Sequence, residues 1–221
     1  FIALVPWLLA LNATRSVPGA VAHGLLMGIA LVAAVFAWFG SALDAYTGIG
    51  SVPAILVMCA CAPLLQPQVL VFVLVRQLVG HRHGPLLRAL AGASAWVGCE
   101  WLAPKLLGDT LGHGMLPSAT ARQMADLGGA AGITFVLILV NEALALALTR
   151  ARNGARAALP ALASAVVVLV LMATYGLLRL SALQSVQVDP VPSLRIGMVQ
   201  ANIVDYERLR RERGAYAVVR D

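Results

Sequence analysis

The sequence predicts an all-α polytopic membrane helix bundle, followed by the first strand and helix of an α/β domain that stops short at Asp221. Three observations carry that reading. Hydrophobic residues make up 60% of the 221 and charged residues only 12%, where an average soluble domain carries roughly 25% charge. Several apolar runs approach or exceed the roughly 20 residues that cross a hydrocarbon core about 30 Å thick, and the charges collect in short segments between them. After Leu180 the pattern changes. A polar stretch with two prolines leads to LRIGMVQANI, Leu194 to Ile203, whose apolar residues suit a buried strand.

The chain opens on Phe1, and its first apolar run, FIALVPWLLAL, covers little more than half a bilayer at about 1.5 Å per residue, so upstream sequence is expected to be missing. No basic region precedes that run and no small-residue cleavage site follows it, which argues against a signal peptide. A polar break containing Arg15 separates it from a span at about 21–42. DAYTGIGSVP, Asp44 to Pro53, is a glycine-bearing loop. The next span, about 54–79, contains Pro63 and Pro67, which remove backbone donors and should kink it or split it into two half-helices. GHRHG marks another loop, then come a span at about 86–102 and a mixed-polarity connection from Leu106 to Asp126, long for a simple turn. Spans at about 127–148 and 158–180 complete the bundle. The organisation expected is a transmembrane domain over 1–181, a linker over 182–193 and the start of a soluble domain over 194–221. There Asp205 can cap a helix whose first turn carries Glu207, with Tyr206, Leu209, Tyr216 and Val219 on its buried side. A lone strand and helix cannot bury their apolar faces, so this domain is expected to continue past Asp221.

Arginine and lysine set the orientation. The segments holding Arg76, Arg82 and Arg88, and Arg150, Arg152 and Arg156, alternate with poorer ones and are read as cytoplasmic loops. That puts Asp44, the 106–126 connection and everything after Leu180 on the opposite face. The net charge of +6 is thereby explained by topology; no basic face interleaved with aromatics indicates nucleic acid. Cys59, Cys61 and Cys99 fall inside apolar spans and indicate neither a disulfide framework nor a zinc site; they read as small packing residues.

Charged groups inside a bilayer cost several kcal/mol, which draws attention to Glu100 and to the Asn141–Glu142 pair. Glu100 stands near the outward end of its span, where water or headgroups could reach it; Glu142 is well inside its own. Glu100 and Glu142 either line a cavity or, in the preferred reading, make interhelical hydrogen bonds or snorkel. His81 and His83 flank Arg82 in a loop and do not make a convincing metal pair, and no other metal motif is present. His113 sits in the long connection between glycines, with no carboxylate or serine at a spacing that would make it a general base. No serine nucleophile elbow or phosphate loop occurs.

Taken in order, these segments resemble apolipoprotein N-acyltransferase, the bacterial inner-membrane enzyme family that adds the third acyl chain to lipoproteins. Trp38, Leu43, Tyr46 and Gly48 are similar to its W(x4)[IL](xx)[FY]xG pattern; Trp96, Glu100, Trp101 and Leu102 to WxxxE[FW]L; Gly132, Thr134, Phe135 and Asn141 to G(x)[ST]F(x5)N. LRIGMVQANI resembles the first strand of its nitrilase-like domain. Ala103 and GDTLGHGMLPS stand where the family usually has an arginine and a G-F-P-W turn. The resemblance implies a periplasmic nitrilase-like domain with a Glu, Lys and Cys triad, all beyond Asp221, so that no catalytic residue lies in this chain. It implies a phospholipid acyl donor, a cysteine thioester, a diacylglyceryl apolipoprotein acceptor and no cofactor. Trp101 and Met115, with Leu116, are then expected as apolar lipid contacts, and Lys105, His113 and Arg122 as groups that meet a phosphate. Two other classes stay open from the residues: a multi-pass transporter, for which the broken span and Glu142 would speak, and a membrane-anchored amidase of the nitrilase superfamily.

Overall fold

The computed structural model describes residues 2–103, 105, 108–185, 196–198 and 206–214. The chain divides into two units, Phe1–Ser185 and Val186–Asp221. The first is helical throughout its regular structure: α1 (Val5–Ala13), α2 (Val17–Thr47), α3 (Ser51–Ala60), α4 (Ala62–Leu65), α5 (Pro67–Gly80), α6 (Pro85–Leu102), a 3-10 turn (Leu111–Met115), α7 (Ala119–Arg122), α8 (Ala125–Ala151) and α9 (Ala155–Ser185). Of these, α2, α8 and α9 are individually long and apolar enough to cross a membrane.

Proline and small residues explain much of this architecture. The expected break in the 54–79 span falls at Cys61 and at Gln66, each of which directly precedes the short or proline-led segment that follows, so one span is built from three helical pieces. Along α2 the buried residues Ala20, Gly24, Gly28, Val32, Phe36 and Gly40 recur every fourth position, a single stripe on one face. That stripe lets neighbouring helices approach closely: Gly24 faces Leu70 and Val73 of α5, and Gly40 faces Ile55 of α3. Val32 and Phe36 then close over Met58 and Ala62 as a small core of their own. Asp44 ties the intervening turn, accepting from the Gly50 N–H and the Ser51 hydroxyl, both at 2.9 Å.

The main core is aromatic and central. Leu8 and Leu11 of α1 are fully or almost fully buried with Phe72, Val73, Ala93, Trp96 and Ile138. The ring of Phe72 bridges Trp7 and Trp96, at centroid distances of 5.4 and 5.7 Å, a geometry that adds about 0.5–1.5 kcal/mol per pair to the burial. Outside, the bundle is greasy: Leu26, Leu56, Val57, Leu171 and Leu178 are all more exposed than buried. Water would not tolerate so continuous an apolar exterior, whereas lipid chains would.

Three features depart from the expected layout. Arg76 and Arg88, grouped with loop arginines on sequence, belong to α5 and α6, and the Arg76 side chain is only 3% exposed. The connection from Leu106 to Asp126 is partly ordered, holding the 3-10 turn and α7. α8 is bent near its start, where Gly128 and Gly129 leave helical geometry. Gly129 adopts φ 62° and ψ −164°, a conformation effectively reserved for glycine.

In the second unit the described residues hold one helix, α10 (Tyr206–Arg213), and the segment 196–198, which is not a strand. The remainder of the expected strand, the Asp205 cap, and Tyr216 and Val219 lie outside the described residues.

Candidate functional site

Two buried polar networks sit toward opposite ends of the helical unit. The first is centred on Glu100, at the last turn of α6, whose side chain is 6% exposed. This differs from the solvent-reachable position expected for it, because three donors enclose the carboxylate. Trp96 Nε1 donates at 3.1 Å, Thr110 Oγ1 at 2.9 Å and Lys105 Nζ at 3.3 Å. The spacing of Trp96 and Glu100 puts them on successive turns of one helix face, where their side chains meet. Thr110 Oγ1 also lies 2.6 Å from Thr134 Oγ1, and the single Thr134 hydroxyl proton is shared between that contact and the Ala130 carbonyl at 3.1 Å. Thr134 in turn accepts from the Gly112 N–H at 2.8 Å.

Lys105 also donates to the Asp109 carbonyl and lies 3.5 Å from the Asp109 carboxylate. Asp109 is held from the other side by Gln66 Nε2 at 2.8 Å, and Gln68 donates to Gln66. The break between α4 and α5 thus meets the connection after α6 through side chains. Gly112 completes the junction: a Cβ there would come within 2.1 Å of the Ala130 carbonyl, just past the bend in α8. A cavity of about 80 Å³ lies beside Glu100, Gln68, Trp96 and Thr110, and another of about 240 Å³ is bounded by Trp101, Lys105 and Asp109. The ionised site carries two carboxylates against one ammonium.

Around this end the other expected contact residues are dispersed over the surface. Trp101 is 78% exposed, and Leu116 is exposed with it. His113 and Arg122 are exposed and Met115 is half-buried; Arg122 reaches back to the Leu116 carbonyl at 3.5 Å. Trp38 and Tyr46, toward the far end of α2, are also exposed, as amphipathic rings are at a membrane–water boundary.

The second network centres on Glu142, 3% exposed, in the C-terminal half of α8. Arg76 of α5 grips both carboxylate oxygens with Nε and a terminal nitrogen, the latter at 3.1 Å. The same guanidinium reaches Asn12 Oδ1 of α1 at 2.7 Å. Arg88 of α6 approaches the carboxylate at 3.6 Å. The preceding residue, Asn141, accepts from the Leu4 N–H at 3.1 Å, which satisfies an orphan donor at the start of α1, and donates to the Leu137 carbonyl at 2.7 Å. Glu142 thus makes interhelical hydrogen bonds and also lines a cavity between α6, α8 and α9.

Sequence reasoning passed over Gln66, Gln68, Arg76, Asp109, Thr110 and Asn12. The signal available was polarity at the wrong place: Gln66, Gln68 and Gln77 interrupt an apolar run, and buried polar groups need partners.

An all-helical unit with a lipid-compatible exterior, three helices of spanning length and buried polar junctions defines a polytopic membrane domain. A family model for the apolipoprotein N-acyltransferase N-terminal domain matches residues 1–143, and the chain belongs to that family. No curated protein and no solved structure matches it. Several of the residues by which the sequence resembles the family are structural in the first instance: Trp96 with Glu100, Thr134 with Gly112, and Asn141 with Leu4 are hydrogen-bonded pairs.

Proposed function

We propose that this chain is the lipid-handling membrane portion of an apolipoprotein N-acyltransferase of the bacterial inner membrane. The complete protein would move an acyl chain from a phospholipid, through a cysteine thioester, to the α-amine of a diacylglyceryl-cysteine lipoprotein. The family match over residues 1–143 carries the reading. The Glu, Lys and Cys of the transfer chemistry are assigned to residues after Asp221, and the Glu100 end of the bundle to the periplasmic face. The gathering of Arg15, Arg82, Arg152 and Arg156 beside the helix ends away from Glu100 supports that orientation.

In this reading the Glu100 network does not react. It pins the connection carrying His113, Met115 and Leu116 against α6 and α8, so that exposed Trp101 and Leu116 and half-buried Met115 receive acyl chains while Arg122 and His113 approach the donor phosphate. Lys105, held by two carboxylates, positions this surface. Orientation is tested with a reporter fused after Ser185, whose activity is expected only on the periplasmic side. The transfer itself is tested by depleting the full-length protein and weighing lipoprotein N-terminal peptides. Loss of one acyl chain from the N-terminal cysteine is expected; fully acylated peptides under depletion would reject the assignment.

A further inference from the structure

The Glu142 network has more positive charge than its own carboxylate can balance. Both oxygens of Glu142 are taken by Arg76. Arg88 is left beyond hydrogen-bond distance at 3.6 Å, its side chain only 20% exposed, and its Nε is buried with no partner. Arg150, two turns along α8 on the same face as Glu142, is half-buried and makes no ion pair among the described residues. Two guanidinium groups therefore meet one carboxylate, and Arg150 adds a third positive charge to the lining of the cavity that Arg88 and Glu142 share. The remaining acids of the helical unit, Asp44, Glu100, Asp109 and Asp126, belong to the other end. Uncompensated charge in a low-dielectric setting draws a counter-charge.

A groove is present for one. Between α6, α8 and α9 lies a cavity of about 320 Å³ whose lining includes the polar residues Arg88, Glu142, Arg150 and Ser164 and the apolar residues Leu139 and Val168, a size within the range of small-ligand sites. From Arg150 to Leu139 the groove follows eleven residues of α8, about 16 Å of helix, which matches one leaflet's share of a hydrocarbon core about 30 Å thick. Pro160 and Ala161 give the α9 wall little bulk there. Two guanidinium groups, Arg150 at one end and Arg88 beside Glu142, line an otherwise apolar furrow of acyl length, which is complementary to a phospholipid with a negatively charged headgroup.

We propose that this groove holds a resident anionic phospholipid, its headgroup phosphate between Arg88 and Arg150 and one acyl chain along Leu139 and Val168. The site is separate from the donor surface at the Glu100 end. Only the choice of the cytoplasmic leaflet rests on the orientation proposed above.

The test uses the full-length protein in nanodiscs of phosphatidylcholine with graded phosphatidylglycerol, followed by native mass spectrometry of lipids that stay bound. Retention of phosphatidylglycerol over phosphatidylcholine is expected. It should fall about fivefold in Arg150→Gln and about thirtyfold in Arg88→Gln/Arg150→Gln, while Arg152→Gln, an exposed arginine at the same end, leaves it unchanged. Arg150→Gln removes no ion pair or side-chain hydrogen bond among the described residues, so its effect stands even if Arg88 variants misfold. Equal retention of both lipids, insensitivity to Arg150→Gln, or displacement of the lipid by millimolar inorganic phosphate alone would overturn the proposal. The assay does not depend on which way the bundle faces, so a cytoplasmic result from the Ser185 reporter would change the leaflet and leave the binding result standing.

Discussion

Two glutamates, Glu100 and Glu142, are almost equally buried, yet they are held by different means. Glu100 receives an indole, a hydroxyl and one ammonium, and Lys105 is itself shared with Asp109. Its charge is dispersed through a mesh whose members come from α6, α8 and the connection between α6 and α7. Glu142 is clasped by a bidentate arginine from another helix, with a second arginine close by. The first arrangement orders a segment of chain; the second locks helix against helix. Stability should therefore depend on Glu142 more than on Glu100, and local order on Glu100 more than on Glu142.

Removing the charge of Glu142 is the strongest way to sharpen this contrast. Glu142→Gln leaves Arg76 buried without a counter-ion and should cost about 3–5 kcal/mol in unfolding measured in detergent. Replacing both partners, Arg76→Met with Glu142→Leu, should recover most of the loss, and a double variant no better than the single one would refute the ion-pair account. Glu100→Gln keeps a hydrogen-bond acceptor and should cost less, about 2 kcal/mol. Its mark should be local: faster amide exchange over residues 108–116 with α5 unaffected. Exchange that rises evenly over the bundle would erase the distinction between the two carboxylates.

A smaller effect is expected from Gly112→Ala, whose Cβ would press on the Ala130 carbonyl. Local shifts should cost about 1–3 kcal/mol, read as a lower melting temperature; an unchanged melt would show that the connection yields freely. The least effect belongs to Asp126, paired with Arg179 at 2.6 Å but with both side chains at least 40% exposed. Asp126→Asn should change stability by no more than about 0.5–1 kcal/mol, so a larger loss would mean that exposed pairs here act like buried ones.

Much of the bundle was legible in the sequence because lipid-spanning segments announce themselves by length and apolarity, and because Pro63 and Pro67 could only interrupt a helix. The residues that carry Glu100 and Glu142 were legible too, since a carboxylate in an apolar run has to be answered by something. What answered them was not. Arg76 lies 66 residues from Glu142 and Thr134 24 residues from Thr110, and no local rule of spacing reports such distances. Arg76 also illustrates why counting basic residues near span ends finds topology but not burial. The count treats an arginine in a loop and one 3% exposed inside α5 as the same charge. The 106–126 connection read as irregular because its order comes from Gly112 seating on Ala130 and from Thr134, a tertiary contact that composition does not encode.

α6 contributes to both junctions, Arg88 near its first turn and Glu100 at its last. The two positions are twelve residues apart, about 18 Å along the axis. A slide of that rod by a single residue's rise, about 1.5 Å, would pull its charged groups out of reach of their partners at both ends at once. The axial register of α6 is thus fixed by two anchors rather than one, and a disturbance at either mouth of the bundle has a stiff element along which to be felt at the other.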